Sequence, residues 1–270
     1  MTTTLAIANQ KGGVAKTTTV ASLGAALAEL GHSVLLVDLD PQACLTFSLG
    51  IDPEDLDVSV HQVLTRGVDP AEVVIGTDDG VDLLPATIEL ARAEADLLTR
   101  TGREHVVRTT LELLAEGGRA YDWVLLDCPP SLGVLTVAAL TAADGVLVPL
   151  QCETLSHRGV GQLLDTVHDV RRFTNRGLEV WGVLPTLYDG RTAHARTVLE
   201  TISDTYDLDV VEPPIPKTVR FAEAPAAGRS ILSTSRSSKG ARAYREVAAH
   251  LVARAQQPAT RTASRTGART

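Results

Sequence analysis

The feature that most constrains this chain is a glycine-rich stretch between a short apolar run and a long segment rich in Ala and Leu. Residues 11–18 read KGGVAKTT and follow the apolar run LAIA at 5–8. In a strand, glycine-rich turn and helix of this order, backbone N–H groups converge on one point, where the helix dipole adds positive charge. Gly12 and Gly13 let the backbone approach a phosphate closely. The order therefore predicts a phosphate-binding loop at the start of a helix over residues 17–30.

The loop departs from the general pattern G-x-x-x-x-G-K-[ST]. Gln10 and Ala15 stand at its two glycine positions, and an additional lysine, Lys11, heads the loop. The chain has four lysines against 21 arginines, and two of the four lie in this one loop. Lys16 would reach the β- and γ-phosphates of a nucleotide, and the Thr17 hydroxyl would hold Mg²⁺. The loop thus predicts a nucleoside triphosphate and Mg²⁺ as ligands.

Acidic residues follow two further apolar runs. Residues 33–37 (SVLLV) lead to Asp38 and Asp40, and residues 121–126 (YDWVLL) lead to Asp127. Continuous apolar runs of this kind are typical of strands in buried parallel sheets. Ligands of open α/β sheets bind at the carboxyl ends of the strands, so we expect these acids beside the loop. Asp127 is expected beside Mg²⁺, acting through water.

Length and composition favour a single large α/β domain. The chain has 270 residues, 44% of them apolar, which is enough for a sizeable core. We find no run of some 18 apolar residues and no signal peptide, so we expect no membrane span. The three cysteines are odd in number and lack C-x-x-C spacing, which argues against a disulfide framework or zinc site. These features predict a reducing, cytoplasmic location.

Charge is distributed unevenly along the chain. Residues 1–190 carry 12 basic and 26 acidic side chains, a net −14, whereas residues 191–270 carry 13 and 7, a net +6. A basic C-terminal third on an acidic body favours a localised polyanion-binding face, although a general preference for arginine explains it equally well. Residues 257–270 contain no acid and no large apolar side chain, so we predict that a folded domain at 1–256, which would hold the nucleotide, is followed by a disordered basic tail at 257–270.

Several motifs together resemble the ParA/Soj family of partitioning ATPases, within the ParA/MinD superfamily. They are the deviant Walker A loop, the DLDPQ run at 38–42, the DCPPSLG run at 127–133 and the segment PPIPKTVRFAEAP at 213–225, which matches the family's IPRNVRLSEAP. The resemblance covers residues 3–253. It implies a doubly wound, mostly parallel sheet of the deviant Walker A P-loop NTPase class.

The resemblance also implies a set of site residues. ATP would be bound by Lys11, Gly12, Gly13, Val14, Ala15, Lys16, Thr17, Thr18, Glu153, Pro214, Pro216 and Lys217. Lys11, Lys16 and Asp40 would be catalytic, Asp40 by positioning or polarising the attacking water. Thr17, Asp38 and Asp127 would lie at Mg²⁺, and Arg191 and Arg220 would bind DNA.

Two of these positions carry more specific expectations. Glu153 is expected near the nucleotide ribose at a dimer interface. Ala15 departs from the family's KGGVGKTT, and its methyl group is tolerated if the residue has a negative φ, as at a helix start. Ala15→Gly is then expected to change affinity or rate only modestly.

The resemblance further implies a working cycle. ATP closes two protomers face to face, with Lys11 reaching the partner's phosphates, and this homodimer binds double-stranded DNA non-specifically. A ParB-like protein then stimulates hydrolysis and release. The protein would act on the nucleoid, in chromosome or plasmid partitioning, and not on a membrane.

Three alternatives share the fold. A MinD-like ATPase that cycles on membranes needs a C-terminal amphipathic helix with bulky apolar residues, which this tail lacks. A nitrogenase-type iron protein needs paired cysteines at the dimer axis, and only Cys128 lies in the matching loop. An orphan ParA that positions another cargo would use the same ATPase chemistry and differ only in its partner.

Overall fold

The computed structural model describes residues 2–153, 156–190 and 193–257, and for residues 156, 157, 193 and 194 the backbone alone. Arg191 and the predicted tail from residue 258 onward lie outside this part of the chain, so both remain predictions. The strands of the described part are β1 (Thr3–Ile7), β2 (Val34–Asp38), β3 (Ile75–Gly76), β4 (Asp82–Leu84), β5 (Trp123–Asp127), β6 (Gly145–Gln151) and β7 (Glu179–Thr186).

Helices connect and cover these strands. They are α1 (Lys16–Glu29), α2 (Cys44–Ser48), α3 (Val60–Arg66), α4 (Pro70–Val73), α5 (Leu90–Leu98), α6 (Val106–Glu116), α7 (Val134–Ala142), α8 (Ser156–Phe173), α9 (Ala193–Tyr206), α10 (Arg220–Glu223), α11 (Ile231–Thr234) and α12 (Lys239–Ala255). The helix predicted at 17–30 is confirmed as α1, within one residue at each end. No helix among the described residues is both long and apolar enough to span a bilayer.

The seven strands form one sheet in the order β3-β4-β2-β5-β1-β6-β7. Every neighbouring pair is parallel except β3 and β4, which are antiparallel. The doubly wound, mostly parallel sheet is therefore confirmed. The edge strand β3 has two residues, too few for a recognisable periodic pattern.

Alternate residues of the central strands point to opposite faces of the sheet. Leu5 and Ile7 of β1 join a core formed with α1 and α12, whereas Ala6 joins a second core formed with α5 to α8. Both faces are therefore covered, which explains why the strands read as continuous apolar runs. The layers hold all the parallel strands with their carboxyl ends at one edge, where the loop between β1 and α1 also lies.

Candidate nucleotide-binding site

Two polar side chains fix the loop between β1 and α1 to the neighbouring strands. The Asn9 carboxamide accepts a hydrogen bond from the Lys11 N–H (3.0 Å) and donates one to the Pro149 carbonyl in β6 (2.8 Å). The Thr186 hydroxyl at the end of β7 donates to the Val14 carbonyl (2.9 Å). Sequence reasoning missed Asn9 and Thr186. Their only signal was a polar residue at the end of an apolar strand.

The loop turns into α1 through left-handed backbone. Gly13 has a φ of +74°, and Ala15 has φ +64° and ψ +34° directly before the first helical residue. The condition under which the Ala15 methyl group is tolerated, a negative φ, is therefore not met, because the chain reverses at residue 15, before the helix begins. A left-handed conformation costs a residue with a Cβ about 1–2 kcal/mol. The loop holds this strained conformation without the glycine of the general pattern.

The two loop lysines have different surroundings. The Lys16 side chain is buried, its Nζ donates to the Lys11 carbonyl at 3.3 Å, and burial lowers the pKa of its ammonium group while the charge of Asp127 opposes that shift. Lys11 is a third exposed and its Nζ lies 2.5 Å from the Glu153 carboxylate. The structure thus brings Lys11 and Glu153, both predicted ATP-binding residues, into one ion pair within a single chain.

Two buried carboxylates meet at the ends of neighbouring strands. Asp38 of β2 lies in register with Asp127 of β5. Asp38 accepts hydrogen bonds from the Thr46 N–H (2.9 Å), the Thr46 hydroxyl (2.8 Å) and the Asp40 N–H (3.1 Å). Burial raises the pKa of Asp38 to about 6 despite these bonds. Burial and the neighbouring charge of Asp38 also raise the pKa of Asp127 well above its ordinary value.

The surroundings of Asp127 fit a hydrated Mg²⁺ ion. Both of its carboxylate oxygens are buried, and neither accepts a hydrogen bond of normal geometry from the described residues. The Thr17 hydroxyl lies close enough to favour the ionised carboxylate. The described part of the chain holds no cluster of three or more His, Cys, Asp and Glu side chains with direct metal-ligand geometry. Mg²⁺ commonly takes one or two protein oxygens and keeps several waters, so Thr17 and Asp127 are a compatible donor set.

Asp40 lies at the mouth of the same site. Its carboxylate accepts a hydrogen bond from the Gln42 N–H (2.9 Å), which forms a tight turn after β2. Its charge acts on both Lys16 and Asp127. The structure therefore gathers the predicted Lys16, Asp38, Asp40 and Asp127 around one point at the carboxyl edge of the sheet. Sequence reasoning missed Thr46, which holds Asp38 from the far side of the loop.

The segment that carries the predicted ATP-binding residues Pro214, Pro216 and Lys217 pairs with the end of β7 and with the residues that follow it. The Ile215 N–H donates to the Pro185 carbonyl (2.7 Å), the Tyr188 N–H donates to the Ile215 carbonyl (2.9 Å), and Lys217 N–H donates to the Tyr188 carbonyl (3.3 Å). This pairing places Pro214, Pro216 and Lys217 next to the strand end whose threonine holds the loop. These three residues thus lie at the same edge as the lysines and carboxylates.

The predicted DNA-binding residue Arg220 opens α10 on the protein surface. More than half of its side chain is exposed, and its guanidinium group forms an ion pair with Glu223 at 2.8 Å. The residues of α10 are part of the 213–225 segment but take no part in the pairing with β7. The position of Arg220 is thus open to a large partner in a way that Lys16 is not.

This chain is similar to known proteins over most of its length. A family model described as an AAA domain matches residues 2–180. The sporulation initiation inhibitor protein Soj of Bacillus subtilis is 42% identical over 250 residues, which span 92% of this chain and 98% of that protein. The chromosome partitioning protein ParA of Caulobacter vibrioides is 40% identical, over 93% of this chain and 94% of that protein. This chain belongs to the ParA/Soj family of partitioning ATPases.

The solved structures that are similar to this chain include complexes with ADP and magnesium. A structure named as cobyrinic acid a,c-diamide synthase of Mycobacterium smegmatis, with bound ADP and magnesium, is 57% identical with a TM-score of 0.83, and the match covers 93% of this chain and 94% of that one. The septum site-determining protein MinD of Pyrococcus horikoshii, complexed with Mg-ADP, is 25% identical with a TM-score of 0.75 and covers 95% and 98%. Both matches span nearly the whole ParA/Soj-type chain.

Proposed function

We propose that this ParA/Soj-family ATPase uses Mg²⁺ and ATP to form a homodimer that binds DNA non-specifically and partitions DNA with a ParB-like partner. The observation that carries the proposal is the meeting of a buried lysine, Lys16, with the unsatisfied buried carboxylate of Asp127 at a loop headed by Lys11. A triphosphate supplies the negative charge that a buried ammonium group favours, and Mg²⁺ supplies a partner for the Asp127 oxygens. The relatives named above, whose names specify chromosome partitioning, support the biological role.

The residues of the site divide the chemistry among them. Loop N–H groups and Lys16 bind and orient the phosphates, and Asp40 orients the attacking water at the open side of the site. Thr17 and Asp127 would hold Mg²⁺, with Asp38 behind them. When bound, Mg²⁺ supplies positive charge that neutralises the phosphate oxygens during transfer. Pro214, Pro216 and Lys217 bound the site on the adenine side, largely through backbone groups.

Lys11 makes the site depend on a second protomer. Its partner within the chain is Glu153, an exposed carboxylate, and the phosphates of a facing protomer offer a stronger concentration of negative charge. The positive charge around the γ-phosphate is then complete only in the dimer. In this arrangement Glu153 is released toward the ribose side of the dimer interface.

The test compares Lys11→Ala with the matched variant Lys239→Ala, which removes a lysine at the start of α12. We expect Lys11→Ala to remain a monomer with a non-hydrolysable ATP analogue in light scattering, and to lose most of its DNA-stimulated turnover. Lys239→Ala should dimerise and turn over like the wild type. Full, cooperative, DNA-stimulated turnover by Lys11→Ala would contradict the proposal.

DNA binding in this proposal rests on two arginines, of which Arg220 is exposed on the protein surface. A guanidinium group stays charged and matches the geometry of phosphate oxygens, so Arg220, together with Arg191, gives non-specific contacts to the backbone of double-stranded DNA. ATP-dependent fluorescence anisotropy with labelled duplexes of unrelated sequence measures this directly. Addition of a ParB-like protein should accelerate hydrolysis and lower the bound fraction. Such a cycle would place the protein on the nucleoid.

The name of the Mycobacterium smegmatis structure denotes a different activity, the formation of two amide groups on cobyrinic acid. One assay separates the two functions. The protein is incubated with ATP, Mg²⁺, cobyrinic acid and either ammonia or glutamine, and products are analysed by mass spectrometry. We expect no amide product under conditions in which DNA stimulates ATP turnover. Amide formation coupled to ATP consumption would replace the partitioning proposal.

A further inference from the structure

The short helix α2 is bounded by two left-handed residues. Ala43 has a φ of +50° immediately before it, and Gly50 has a φ of +83° shortly after it. From within the helix, Thr46 donates two hydrogen bonds to the buried carboxylate of Asp38, and its hydroxyl also accepts one from the Ala86 N–H at 2.9 Å. Hydrogen bonds from Thr46 therefore link α2 directly to Asp38 in the nucleotide-binding site. The chain changes direction both before and after this helix.

The end of α2 touches a different part of the chain, backbone against backbone. A methyl group on Gly228 would lie 2.8 Å from the Gly50 Cα, and one on Gly50 would lie 3.1 Å from the Gly228 carbonyl oxygen. Gly228 closes a tight turn, because its N–H donates to the Pro225 carbonyl at 3.0 Å. That turn directly follows α10, whose first residue is Arg220. Helix α2 therefore spans the distance from Asp38 to the segment that carries Arg220.

A small void lies where these elements meet. It has a volume of about 20 Å³ and is lined by residues of α1, α2 and the 221–231 segment, among them Thr18, Ser22, Ser48, Phe221, Ala224 and Ser230. The Ser230 hydroxyl is buried and has no hydrogen-bond partner among the described residues. A void of this size holds about one water molecule. The junction is thus not packed solid, so α2 has room for a small displacement.

A second contact fixes the segment to α1. The Phe221 ring lies edge-on to Tyr244 at 5.7 Å between ring centroids, and the Tyr244 hydroxyl is 3.0 Å from the Thr19 hydroxyl. Helix α1 is buried against the sheet and α12 along its length. The segment 220–228 therefore contacts two supports: α1 with α12, which are buried in the core, and α2, which reaches the carboxylate of Asp38 through Thr46.

We propose that α2 is a lever that couples the nucleotide to the DNA-binding segment. A nucleotide at the loop changes the hydrogen bonding of Asp38 to Thr46, and the Gly50–Gly228 contact passes the resulting shift of α2 to residues 220–228. The lever thereby sets how Arg220 is presented to DNA. This inference rests on the proposed DNA-binding role of Arg220. Couplings of this kind typically change affinity about 5- to 150-fold.

The first test needs no DNA and no substitution. Amide hydrogen exchange of the wild-type protein is measured with and without saturating Mg·ADP, which fills the site without closing the proposed ATP dimer. We expect exchange to change in residues 43–50 and also in residues 220–228. A response limited to 43–50, or the absence of any response in 43–50, would overturn the lever.

The second test alters the contact itself. Gly50→Asn keeps a residue that tolerates left-handed backbone but adds a side chain against Gly228, and Ser230→Ala is the control because it changes the same junction without touching that contact. We expect Gly50→Asn to reduce the ratio of DNA affinities with and without ATP at least about fivefold, the lower end of typical couplings. Nucleotide affinity should stay within about threefold, and Ser230→Ala should match the wild type in both.

The two measurements separate this inference from the function on which it rests. An unchanged ATP-dependent ratio in folded Gly50→Asn would overturn the lever. If the wild type fails to bind DNA at all, the DNA-binding proposal is wrong. The exchange experiment alone then decides whether α2 moves the segment 220–228. The exchange experiment likewise decides the matter if Gly50→Asn does not fold.

Discussion

At the nucleotide-binding end, the carboxylates of Asp38 and Asp127 are completely buried, whereas on α10 more than half of the Arg220 side chain is exposed to solvent. Burial lowers the pKa of Lys16 and the charge of Asp127 opposes that shift, while burial and the charge of Asp38 raise the pKa of Asp127. Arg220 forms an ion pair with Glu223, three residues away on the same short helix. Both regions bind phosphate in the proposed cycle, but only at the nucleotide-binding end are the charged groups buried away from water.

The difference in burial predicts how substitutions in each region affect stability and binding. A buried charge interacts strongly and at the same time is expensive to desolvate, so removing one group changes the energetics of all its neighbours. An exposed ion pair contributes little to stability and is screened by salt. We therefore expect large effects on both stability and activity at the first region, and effects on binding alone at the second.

The largest effect is expected for Asp127→Asn. Loss of the Mg²⁺-facing carboxylate should lower Mg²⁺-dependent ATP turnover at least about 100-fold, equivalent to roughly 3 kcal/mol. The same change removes the repulsion of Asp38, so the nucleotide-free protein should melt at a higher temperature. Steady-state kinetics and thermal melts check the two results. Asp165→Asn, on the exposed side of α8, is the control, and near-normal turnover by Asp127→Asn would show that the carboxylate is not at the metal.

The second prediction concerns pH. The pKa of Asp38 is raised from 3.8 to about 6 in the folded protein and that of Asp127 is also raised, so the folded state holds more protons than the unfolded state. Stability of the nucleotide-free protein from these two groups therefore falls as pH rises from about 4 through about 6. The variant lacks the group that keeps its proton in the folded state and loses it on unfolding, so the melting temperature of Asp127→Asn minus that of wild type should grow by several degrees, about 2–4 °C per kcal/mol, as pH rises above about 4. A difference that is constant between pH 4.5 and 7.5 would contradict it.

Arg220→Ala should have a smaller effect, restricted to DNA. We expect about a tenfold loss of ATP-dependent affinity and a decrease of about one in the slope of log K against log salt concentration, as for the loss of one phosphate contact. The melting temperature should stay the same within about 1 °C, because an exposed ion pair adds little stability. Glu223→Gln frees the same guanidinium and should raise affinity about two- to threefold. Equal ATP-dependent binding by wild type and Arg220→Ala would remove Arg220 from the DNA-binding surface.

The smallest effect is expected for Ala15→Gly. Glycine relieves about 1–2 kcal/mol of left-handed strain but loses about 0.5–1 kcal/mol in conformational entropy, so the net gain in stability lies between zero and about 1.5 kcal/mol. Affinity for a fluorescent ATP analogue should change less than about fivefold. Asp207→Gly, which relieves a similar φ of +51° in the chain directly after α9, is the matched control. Complete loss of nucleotide binding, or a gain of many-fold, would show that strain at residue 15 is part of the mechanism.

Much of the fold could be predicted because its signals are local. The apolar runs that end in Asp38 and Asp127 indicated buried parallel strands, and their carboxyl ends meet as expected. The loop and α1 were recognisable from glycines and lysines within eight residues. The left-handed φ of Ala15 was not, because alanine is a good helix former and nothing in its neighbours shows where the chain reverses.

The partners of the site residues were also beyond a reading of the sequence. Thr46, Asn9 and Thr186 are ordinary polar residues, and each matters only through a hydrogen bond to a strand or loop that folding brings near. The Lys11–Glu153 ion pair joins residues 142 positions apart. Neither composition nor spacing contains that information, since the distance between such groups is set by sheet order.

The chemistry expected of this protein could be predicted from local sequence, because a phosphate loop, an additional lysine and acids at strand ends are each encoded within a few consecutive residues. Which of those groups are removed from water depends on how distant segments pack together. Burial of Asp38, Asp127 and Lys16 follows from two helical layers closing over the sheet, and burial is what raises the pKa of the carboxyls and lowers that of the amine. The contact of Gly50 with Gly228 has the same origin, in the packing of segments 178 residues apart.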